Sequence, residues 1–435
     1  MAPGLEQRTR TAPPWLAAFV WLIPAVFYLA AFYLRAAPAV MTGELMRDFH
    51  IGAVALGNLS AFYFYAYVLM QIPTGILVDF WGPRRLLVIG SVAAAAGTLL
   101  FGSTDNLALA CLGRAIVGAA TAVGWVVTLK ITTHWFPSRK FALLSGVGLL
   151  IGNIGNLLAQ VPLRLLVEHF GWRPVVMASA GVILSVGVLA WFIVRNDPSD
   201  SGYTSYAPAA IQERGQARFL DLLKGLKRIF GYRNTWLIFA AQGGFVGSIL
   251  SFTGLWGPPY LRTRFDLKPT SAAAVCSVMI VCWAVACPLC GHLSDRIGKR
   301  KPVYLAGAAV AAAGWSLLFL LPGLSLSAFV AIASVTSFAL GAVILGFAFA
   351  RESVPVQYMG SISGLINMGN MTGTMVLQPA IGFILDRHWS GTLSNGTRVY
   401  GPEAYETAFL LIIGWAVLSV IAISQTHETG CRQST

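Results

Sequence analysis

Long apolar runs separated by short polar breaks dominate the chain. The first run begins near Trp15 and continues to Val40, which is too long for the apolar core of a signal peptide and long enough to cross a membrane. We predict further membrane helices from the later runs at about 54–78, 86–104, 107–133, 141–162, 174–194, 235–260, 270–290, 302–321, 326–350, 360–385 and 405–424. The pattern therefore predicts an all-α integral membrane protein with twelve transmembrane helices.

A polar stretch between the sixth and seventh runs divides these helices into two sets of six. We predict one six-helix bundle over residues 1–195, a cytosolic linker over 196–234, and a second bundle over 235–435. Between Phe219 and Phe230 of the linker, apolar residues at helical spacing alternate with basic ones. This pattern is typical of an amphipathic helix on an anionic membrane surface. The alternative is a helix that binds a partner protein.

Composition narrows the class of protein. Hydrophobic residues make up 56% of the 435 residues and charged residues only 11%, against about 25% charged in ordinary soluble domains. These proportions exclude soluble enzymes, disulfide-rich secreted modules and disordered proteins. The net charge of +13 does not indicate nucleic-acid binding, because so apolar a chain would not stay in water to meet a nucleic acid. Basic residues instead mark the cytosolic side of a membrane protein.

The distribution of basic residues predicts the orientation. With the N-terminus inside, the predicted cytosolic segments carry 19 of the 30 lysines and arginines, and the outer segments carry eight. We therefore predict a protein of the cell (inner) membrane with both termini in the cytoplasm. The sequence contains no His/Asp metal cluster, nucleophile constellation or nucleotide-binding loop. We predict that the protein is not an enzyme and uses no metal or cofactor.

Two loops, one in each half of the chain, repeat one motif. They read Gly75-Ile-Leu-Val-Asp79-Phe-Trp-Gly82-Pro-Arg84-Arg85 and Gly291-His-Leu-Ser-Asp295-Arg296-Ile-Gly298-Lys299-Arg300. Each lies between the second and third predicted helix of its half, as parallel six-helix repeats require. The loops resemble the Gly-x-x-x-Asp-Arg-x-Gly-Arg-Arg signature of the major facilitator superfamily, although Phe80 replaces the basic residue in the first copy. The resemblance implies a transporter in which the halves enclose a central cavity.

The resemblance also implies a role for the two loops in gating. Glycines allow tight turns, and an aspartate at the membrane boundary can cap a helix or pair with arginine. The predicted gate motif comprises Gly75, Asp79, Gly82, Arg84, Arg85, Gly291, Asp295, Arg296, Gly298, Lys299 and Arg300. The alternative is that the basic residues only fix the topology.

Ionisable side chains inside membrane helices are costly and are therefore functional candidates. The first six predicted helices hold Arg35, Arg114 and Lys130, whereas no Asp or Glu lies deep in any predicted helix. A basic cavity without deep carboxylates favours an anionic substrate, because a buried cation needs a partner.

Arg35 lies two-thirds along the first predicted helix. It resembles the arginine with which organic-anion and organophosphate branches of the superfamily grip a carboxylate or phosphate, a task that suits forked donors. Leu34 stands where several organic-anion carriers have Asp, and Gln71 stands where phosphate-ester carriers have Lys. The alternative for Arg35 is snorkelling to the outer interface.

Three residues are candidates for coupling transport to protons. Lys130 and His134 lie one helical turn apart and share a face, and Glu352 lies near the end of the tenth predicted helix. His134 would titrate near physiological pH. The alternatives are snorkelling for Lys130 and simple solvation for His134. Arg114 belongs to an Arg-x-x-x-Gly element that resembles one linked in the family to proton coupling or to structure, and we favour structure.

Amide and aromatic side chains complete the predicted substrate site. Gln160 and Gln378 lie at equivalent positions of the repeat, one in each half. Buried amides either bind substrate or join helices, and the same choice applies to Asn153 and Asn156. The substrate-binding candidates are Arg35, Tyr65, Arg114, Trp125, Gln160, Trp256, Asn367, Asn370 and Gln378.

We therefore predict a secondary transporter that moves a small anionic organic solute by alternating access. We expect a monomer in contact with lipid and without nucleic-acid partners, and we leave proton-coupled symport open. The alternative function is an exporter of drugs or siderophore-like compounds. The absence of a deep acidic residue and of a Gly-Pro-x-x-Gly-Gly pattern on the fifth predicted helix counts against this alternative.

Overall fold

The computed structural model describes residues 11–207, 228–355, 358–394 and 397–432. About four-fifths of these residues lie in helices, as the apolar runs predict. The helices, which we number α1 to α16 in chain order, are Pro14–Ala36, Thr42–Asp48, Ala53–Ser103, Leu107–Thr121, Val123–Trp135, Phe141–Leu158, Val161–Phe170, Trp172–Ile193, Arg233–Ser251, Gly257–Phe265, Pro269–Ile297, Lys301–Leu320, Leu326–Leu340, Val343–Glu352, Met359–Arg387 and Pro402–Ser424.

Short elements join some of these helices. Three 3-10 turns span Ala37–Val40, Ser138–Lys140 and Pro198–Ser201, and a π-helical turn spans Phe252–Trp256. A two-stranded antiparallel ribbon, β1 Leu393–Ser394 and β2 Thr397–Arg398, lies between the last two helices. Most of the predicted amphipathic segment lies outside the described residues, so that prediction stays untested.

Within the described residues, ten helical segments are long and apolar enough to cross a membrane. One of them, α3, has 51 residues and would extend about 76 Å, more than twice the hydrocarbon thickness of a bilayer. It changes direction at Gly82, whose φ of 74° interrupts the helical conformation. The 29 residues of α15 are long enough to cross but include many glycines and polar residues. The fold is all-helical and membrane-spanning as predicted, while the count of twelve stays a prediction.

Close helix packing forms each half of the molecule. In the first half α3 packs on α4 and α8, and α1 packs on α5 and α6; in the second, α9 packs on α15 and α16, and α12 on α13 and α16. The two halves meet mainly through α3 and α15. We call the end that contains Asp79 to Arg85 and Gly291 to Arg300 the signature face, and the other end the opposite face.

Glycine is essential where two backbones touch. A Cβ placed on Gly118 of α4 would lie 2.0 Å from the carbonyl oxygen of Tyr63 in α3, and backbone cannot move aside as a flexible side chain can. We expect Gly118→Ala to lower the stability of the detergent-solubilised protein by about 1–3 kcal/mol. Gly181→Ala is the matched control, because a Cβ on Gly181 of α8 meets nothing within 4 Å. Equal melting temperatures for the two variants would contradict this packing.

Candidate functional site

Two membrane helices are interrupted where the halves face each other. Between α6 and α7 the backbone of Gln160 leaves the helical conformation, with φ −96° and ψ −110°. Pro162 has no N–H, so the helical ladder cannot continue through this point. In the second half, α9 passes into the π-helical turn Phe252–Trp256. Discontinuous helices expose backbone groups, and where two halves face each other they form the substrate sites of many secondary transporters.

The two interruptions are joined by a hydrogen bond across the halves. The side-chain Nε2 of Gln160 donates to the backbone oxygen of Thr253 over 3.1 Å. A narrow cavity lies beside this contact, with room for about one water molecule. Both halves line it, through Arg35, Ala36, Phe64, Asn156, Gln160, Leu250, Thr253, Gly254 and Ile280. We call it the central cavity.

Arg35 brings an unpaired positive charge into the central cavity. Its side chain is 5% exposed, and its guanidinium carbon lies 4.0 Å from the ring centroid of Phe32. Nη1 makes only a 3.9 Å contact with the sulfur of Met371, while Nε and Nη2 have no partner. Snorkelling does not describe this side chain, because it is buried between the halves.

The central cavity also contains hydrogen-bond acceptors without a partner, beside the unpartnered donors of Arg35. Asn156, which is 1% exposed, leaves both its amide nitrogen and its amide oxygen without a partner. The side-chain oxygen of Gln160 is also unpartnered. Buried polar groups are normally satisfied, so a cluster of unsatisfied ones indicates a site for a polar ligand. Donors from arginine and acceptors from amides suit a solute with an anionic group and hydroxyl groups.

No acidic side chain neutralises this site within the part of the chain that the structure describes. The buried polar residues there include Arg35 and Arg114 but no Asp or Glu. An uncompensated buried cation is costly, and a bound anion would remove that cost.

Arg114 holds the helix that carries Arg35. Its Nη1 donates to the backbone oxygen of Leu34 over 2.7 Å, and its guanidinium carbon lies 5.2 Å from the ring centroid of Tyr63. Arg114 does not line the central cavity. Its contacts support the structural interpretation over direct substrate binding.

The other predicted substrate residues are distributed around the cavity rather than inside it. The indole of Trp256 donates to the backbone oxygen of Gln378, and Asn367 donates to Gln71 across the halves. Trp125 packs on Tyr28, with ring centroids 5.1 Å apart.

Three more predicted residues remain. Tyr65 lies 3.4 Å from the side chain of Asn58, away from the cavity lining. Asn370 and Gln378 are buried, and each has an unpartnered side-chain oxygen. Of the nine predicted residues, the structure therefore brings only Arg35 and Gln160 into the cavity lining.

Sequence reasoning underweighted Asn156 and missed Thr253. Asn156 lies four residues before Gln160, so the two share a helix face, and this spacing was a usable signal. Thr253 contributes through its backbone oxygen, which a π-helical turn exposes. No side-chain pattern reveals a contribution of that kind.

The signature face holds the predicted gate and coupling residues. In the first half, Asp79 accepts from Lys130 over 2.6 Å, and the guanidinium of Arg84 donates to the backbone oxygen of Trp191. In the second half, Arg300 binds Asp295 at 2.5 Å and Glu352 at 2.8 Å. Each of these contacts joins elements of the same half.

Both loops contain a glycine with a positive φ at the same position of the motif, although the ψ values differ, at 158° for Gly82 and 20° for Gly298. Gly82 and Gly298, which are equivalent in the repeat, have φ values of 74° and 70°. Only glycine adopts this left-handed region without strain, so both loops turn at the same point. Gly75 and Gly291 have no such constraint, because a Cβ on either would meet nothing within 4 Å.

The coupling candidates lie away from the substrate site. Lys130, His134 and Glu352 are all at the signature face, and none lines the central cavity. His134 Nδ1 pairs with Asp197 at 2.7 Å, and Glu352 binds Arg300. Their coupling role stays a prediction.

The pairing of His134 with Asp197 depends on pH, because it requires the ionised carboxylate of Asp197. Burial by itself raises the pKa of Asp197, but hydrogen bonds from His134, Ser199 and Ser205 outweigh it and hold the pKa below its ordinary value. A carboxyl whose folded pKa is lowered contributes stability above its unfolded pKa, near about 4, and loses it as pH falls through the folded value.

We therefore expect the melting temperature of Asp197→Asn to lie below that of the wild type at pH 7, where the wild-type carboxylate is ionised and accepts these hydrogen bonds. The difference should begin to shrink below about pH 4, where the carboxyl becomes neutral in the unfolded chain, and should vanish below the lowered pKa of the folded carboxyl. Thermal unfolding curves recorded at several pH values measure this difference in melting temperature. Glu403→Gln, which changes an exposed acid, is the control. A difference that persists unchanged at pH 3 would contradict the assignment.

At the opposite face, Asp386 joins the two halves. This residue of α15 accepts from the backbone nitrogens of Ala53 at 3.1 Å and Val54 at 2.8 Å, at the start of α3. Tyr400 and Arg398 also donate to it. Gly382, one turn earlier, allows α15 to touch α3, because a Cβ there would lie 2.3 Å from the oxygen of Ala53. The halves are therefore closed against each other at this face.

The fold and the cavity define a multi-pass membrane protein whose two helical halves enclose a polar site. The family model of the Major Facilitator Superfamily matches residues 20–378, so the chain belongs to the major facilitator superfamily. The family and the relatives below are transporters, which confirms the prediction that the protein is a transporter and not an enzyme.

Similar proteins carry the names of organic-anion transporters. The chain is 24% identical over 389 residues to the probable sulfoacetate transporter SauU of Cupriavidus necator, covering 84% of this chain and 86% of that protein. It is 25% identical over 454 residues to the probable galactarate/D-glucarate transporter GudP of Escherichia coli, covering 95% and 96%.

Solved structures support the fold. A bacterial homolog of the human lysosomal transporter Spinster, in an inward-facing and unoccupied conformation, matches with a TM-score of 0.73 at 17% identity. The match covers 95% of this chain and 96% of that one. At this identity the likeness shows the fold alone.

Proposed function

We propose that the protein carries a small organic anion across the cell membrane by alternating access, with Arg35 as the residue that binds the anionic group. The observation that carries this proposal is the buried guanidinium of Arg35, whose Nε and Nη2 have no partner beside a cavity shared by both halves. The forked donors match a carboxylate, sulfonate or phosphate. The names of the relatives agree with this class of solute.

Asn156 and Gln160 would bind the polar groups of the solute other than its anionic group. Their unpartnered amide atoms can accept from hydroxyl groups, and Asn156 can also donate. The two halves would rock about this site, opening the signature face and the opposite face in turn. With the termini in the cytoplasm, as the basic residues predict, the signature face is the cytosolic one.

Thermal stability of the purified protein against a panel of solutes tests the proposal. The probes are sulfoacetate, D-glucarate and a hexose phosphate, with choline and glycerol as a cationic and a neutral control. A solute at 100 times its dissociation constant should add about 2.7 kcal/mol of stability. We expect at least one anion to stabilise the wild type. Stabilisation only by the cationic or the neutral compound, equal in the wild type and in Arg35→Gln, would instead support the drug exporter.

Uptake into proteoliposomes then tests transport and coupling. The anion that stabilises the protein should accumulate or exchange across the membrane, and an imposed proton gradient should change the rate only if transport is proton-coupled. Variants at Lys130, His134 and Glu352 address the predicted coupling groups. Binding without any flux would contradict alternating access.

A further inference from the structure

Helices α3 and α15 run antiparallel along the boundary between the halves. At the opposite face, a Cβ on Gly382 of α15 would touch the backbone oxygen of Ala53 in α3. Farther along the two helices, a Cβ on Gly57 would lie 2.6 Å from the backbone oxygen of Gln378. The two helices, one from each half, therefore pack closely from the opposite face toward the central cavity.

On the other side of the central cavity the same two helices are joined by their side chains. Asn367 of α15 donates from Nδ2 to Oε1 of Gln71 in α3 over 2.9 Å. Gln71 lies seven residues past Phe64 of the cavity lining, which places it about 10 Å nearer the signature face. Asn367 lies four residues before Met371, the neighbour of Arg35, and so about 6 Å to the same side. We call this hydrogen bond the inner latch.

The inner latch can exist only while the halves touch on the signature side of the cavity. Its donor belongs to one half and its acceptor to the other. Nearer the signature face, by contrast, Asp79 binds Lys130 and Arg300 binds Glu352, each pair within its own half. Separation of the halves at that end would break the latch and leave those ion pairs intact. The latch therefore belongs to one conformation of the carrier.

The surroundings of the inner latch allow it to open. Nε2 of Gln71 is buried without a partner, and an unpaired buried amide lowers the stability of the closed arrangement. Two residues farther along, Pro73 has no N–H, so the carbonyl of Leu69 has no partner within the helix and α3 can bend at this point. A bend there would move the segment from Pro73 to Gly82 away from α15 once the latch is broken.

We propose that Gln71 and Asn367 form an inner gate, whose hydrogen bond seals the central cavity from the signature face and whose rupture opens the cavity to that side. The proposal rests on the alternating access proposed above. Asp386 joins the halves on the other side of the cavity, so the two contacts enclose the cavity from opposite directions. Asn367 is thus a positioning residue of the halves, whereas Arg35 binds the solute.

A cysteine in the central cavity reports the opening of either side without a known solute. Gly254 lines the cavity, and a Cβ there would lie 3.8 Å from Nε2 of Gln378, an ordinary contact. The closed cavity has room for about one water molecule, so a membrane-impermeant methanethiosulfonate cannot enter it. Right-side-out and inverted membrane vesicles present the two faces in turn. Mass spectrometry of the peptide containing position 254 separates this signal from the native cysteines.

Loss of the inner latch should open the cavity from one side alone. In the Gly254→Cys background, we expect Gln71→Leu and Asn367→Leu each to raise the labelling rate from the signature face about fivefold, the effect of losing one neutral hydrogen bond. Labelling from the opposite face should stay at the parent rate. Asp386→Ala should show the reverse, and it identifies which vesicles present which face.

Two further variants separate the latch from general damage. The double variant Gln71→Asn with Asn367→Gln exchanges the two side chains, keeps their summed length and should label within about twofold of the parent. Asn153→Leu also removes a partly buried amide. That amide donates within its own helix, to the backbone oxygen of Leu149, so its loss should leave the labelling rate unchanged.

Three results would overturn the proposal. Unchanged labelling in both single variants, in protein that remains folded by size-exclusion chromatography, would show that this bond does not seal the cavity. An equal rise from both faces, or failure of the exchanged pair to restore the parent rate, would show general loosening of the halves. Failure of the transport proposal is read separately, because it appears as absent ligand stabilisation in the wild type and does not enter the labelling assay.

Discussion

Replacing Arg35 with glutamine is expected to abolish anion binding while raising the stability of the unliganded protein. Charge-assisted, forked hydrogen bonds to a buried anion are worth several kcal/mol, so affinity should fall by about 100-fold or more. The unliganded protein, however, bears the cost of an unpaired buried guanidinium, which glutamine removes. A residue that only supports the fold would not show this opposite pair of effects.

Two further variants make the Arg35 experiment specific. Arg35→Lys keeps the charge but loses the planar fork, so we expect partial binding. Arg114→Gln removes the donor to the backbone oxygen of Leu34 and should lower the stability of the unliganded protein. Melting temperatures with and without the stabilising anion measure both. Retained ligand stabilisation in Arg35→Gln would place the anion site elsewhere.

Replacing Asp386 with alanine is expected to open the opposite face. The carboxylate accepts the first amides of α3 from the other half, and hydrogen bonds to a charged group contribute about 1.5–3 kcal/mol each. Losing two of them should shift the balance between the carrier's states by about 100-fold. A cysteine in place of Ala53, which is fully buried at this face, reacts with a membrane-impermeant maleimide when the face opens, and its labelling rate measures this shift.

Two control variants accompany Asp386→Ala: one removes only the charge of Asp386, and the other changes a different acid at the same face. Asp386→Asn keeps one acceptor oxygen and should give an intermediate rate. Asp266→Asn changes an exposed acid at the same face, whose φ of 50° asparagine tolerates, and should leave the rate unchanged. A low labelling rate in Asp386→Ala, in protein that remains folded by size-exclusion chromatography, would show that the contact does not hold the face closed.

The sequence predicted most helices closely because membrane helices need about 20 apolar residues each. The predicted helix at 174–194 is observed as Trp172–Ile193, and that at 405–424 as Pro402–Ser424. The predicted break near 79–85 is observed at Gly82, where the backbone leaves the helical conformation and the chain changes direction.

The candidate site was less accessible to sequence reasoning. Arg35 could be found because a charge inside an apolar run is rare and costly. Tyr65 and Trp125 could not be separated from cavity residues, because an aromatic side chain is equally suited to lipid, to a neighbouring helix or to a solute. The helix face that each residue occupies depends on which helices pack together.

The sequence by itself determined the membrane class, the helical fold, the internal repeat and the unmatched positive charge of the first half. These are properties of composition and spacing, which act locally through the apolar solvent and the helical period. Only the tertiary structure decided that Gln160 meets Thr253 and that Asp386 caps a helix of the other half. Such contacts join residues that are far apart along the chain, and they exist only once the packing of the helices has brought those residues together.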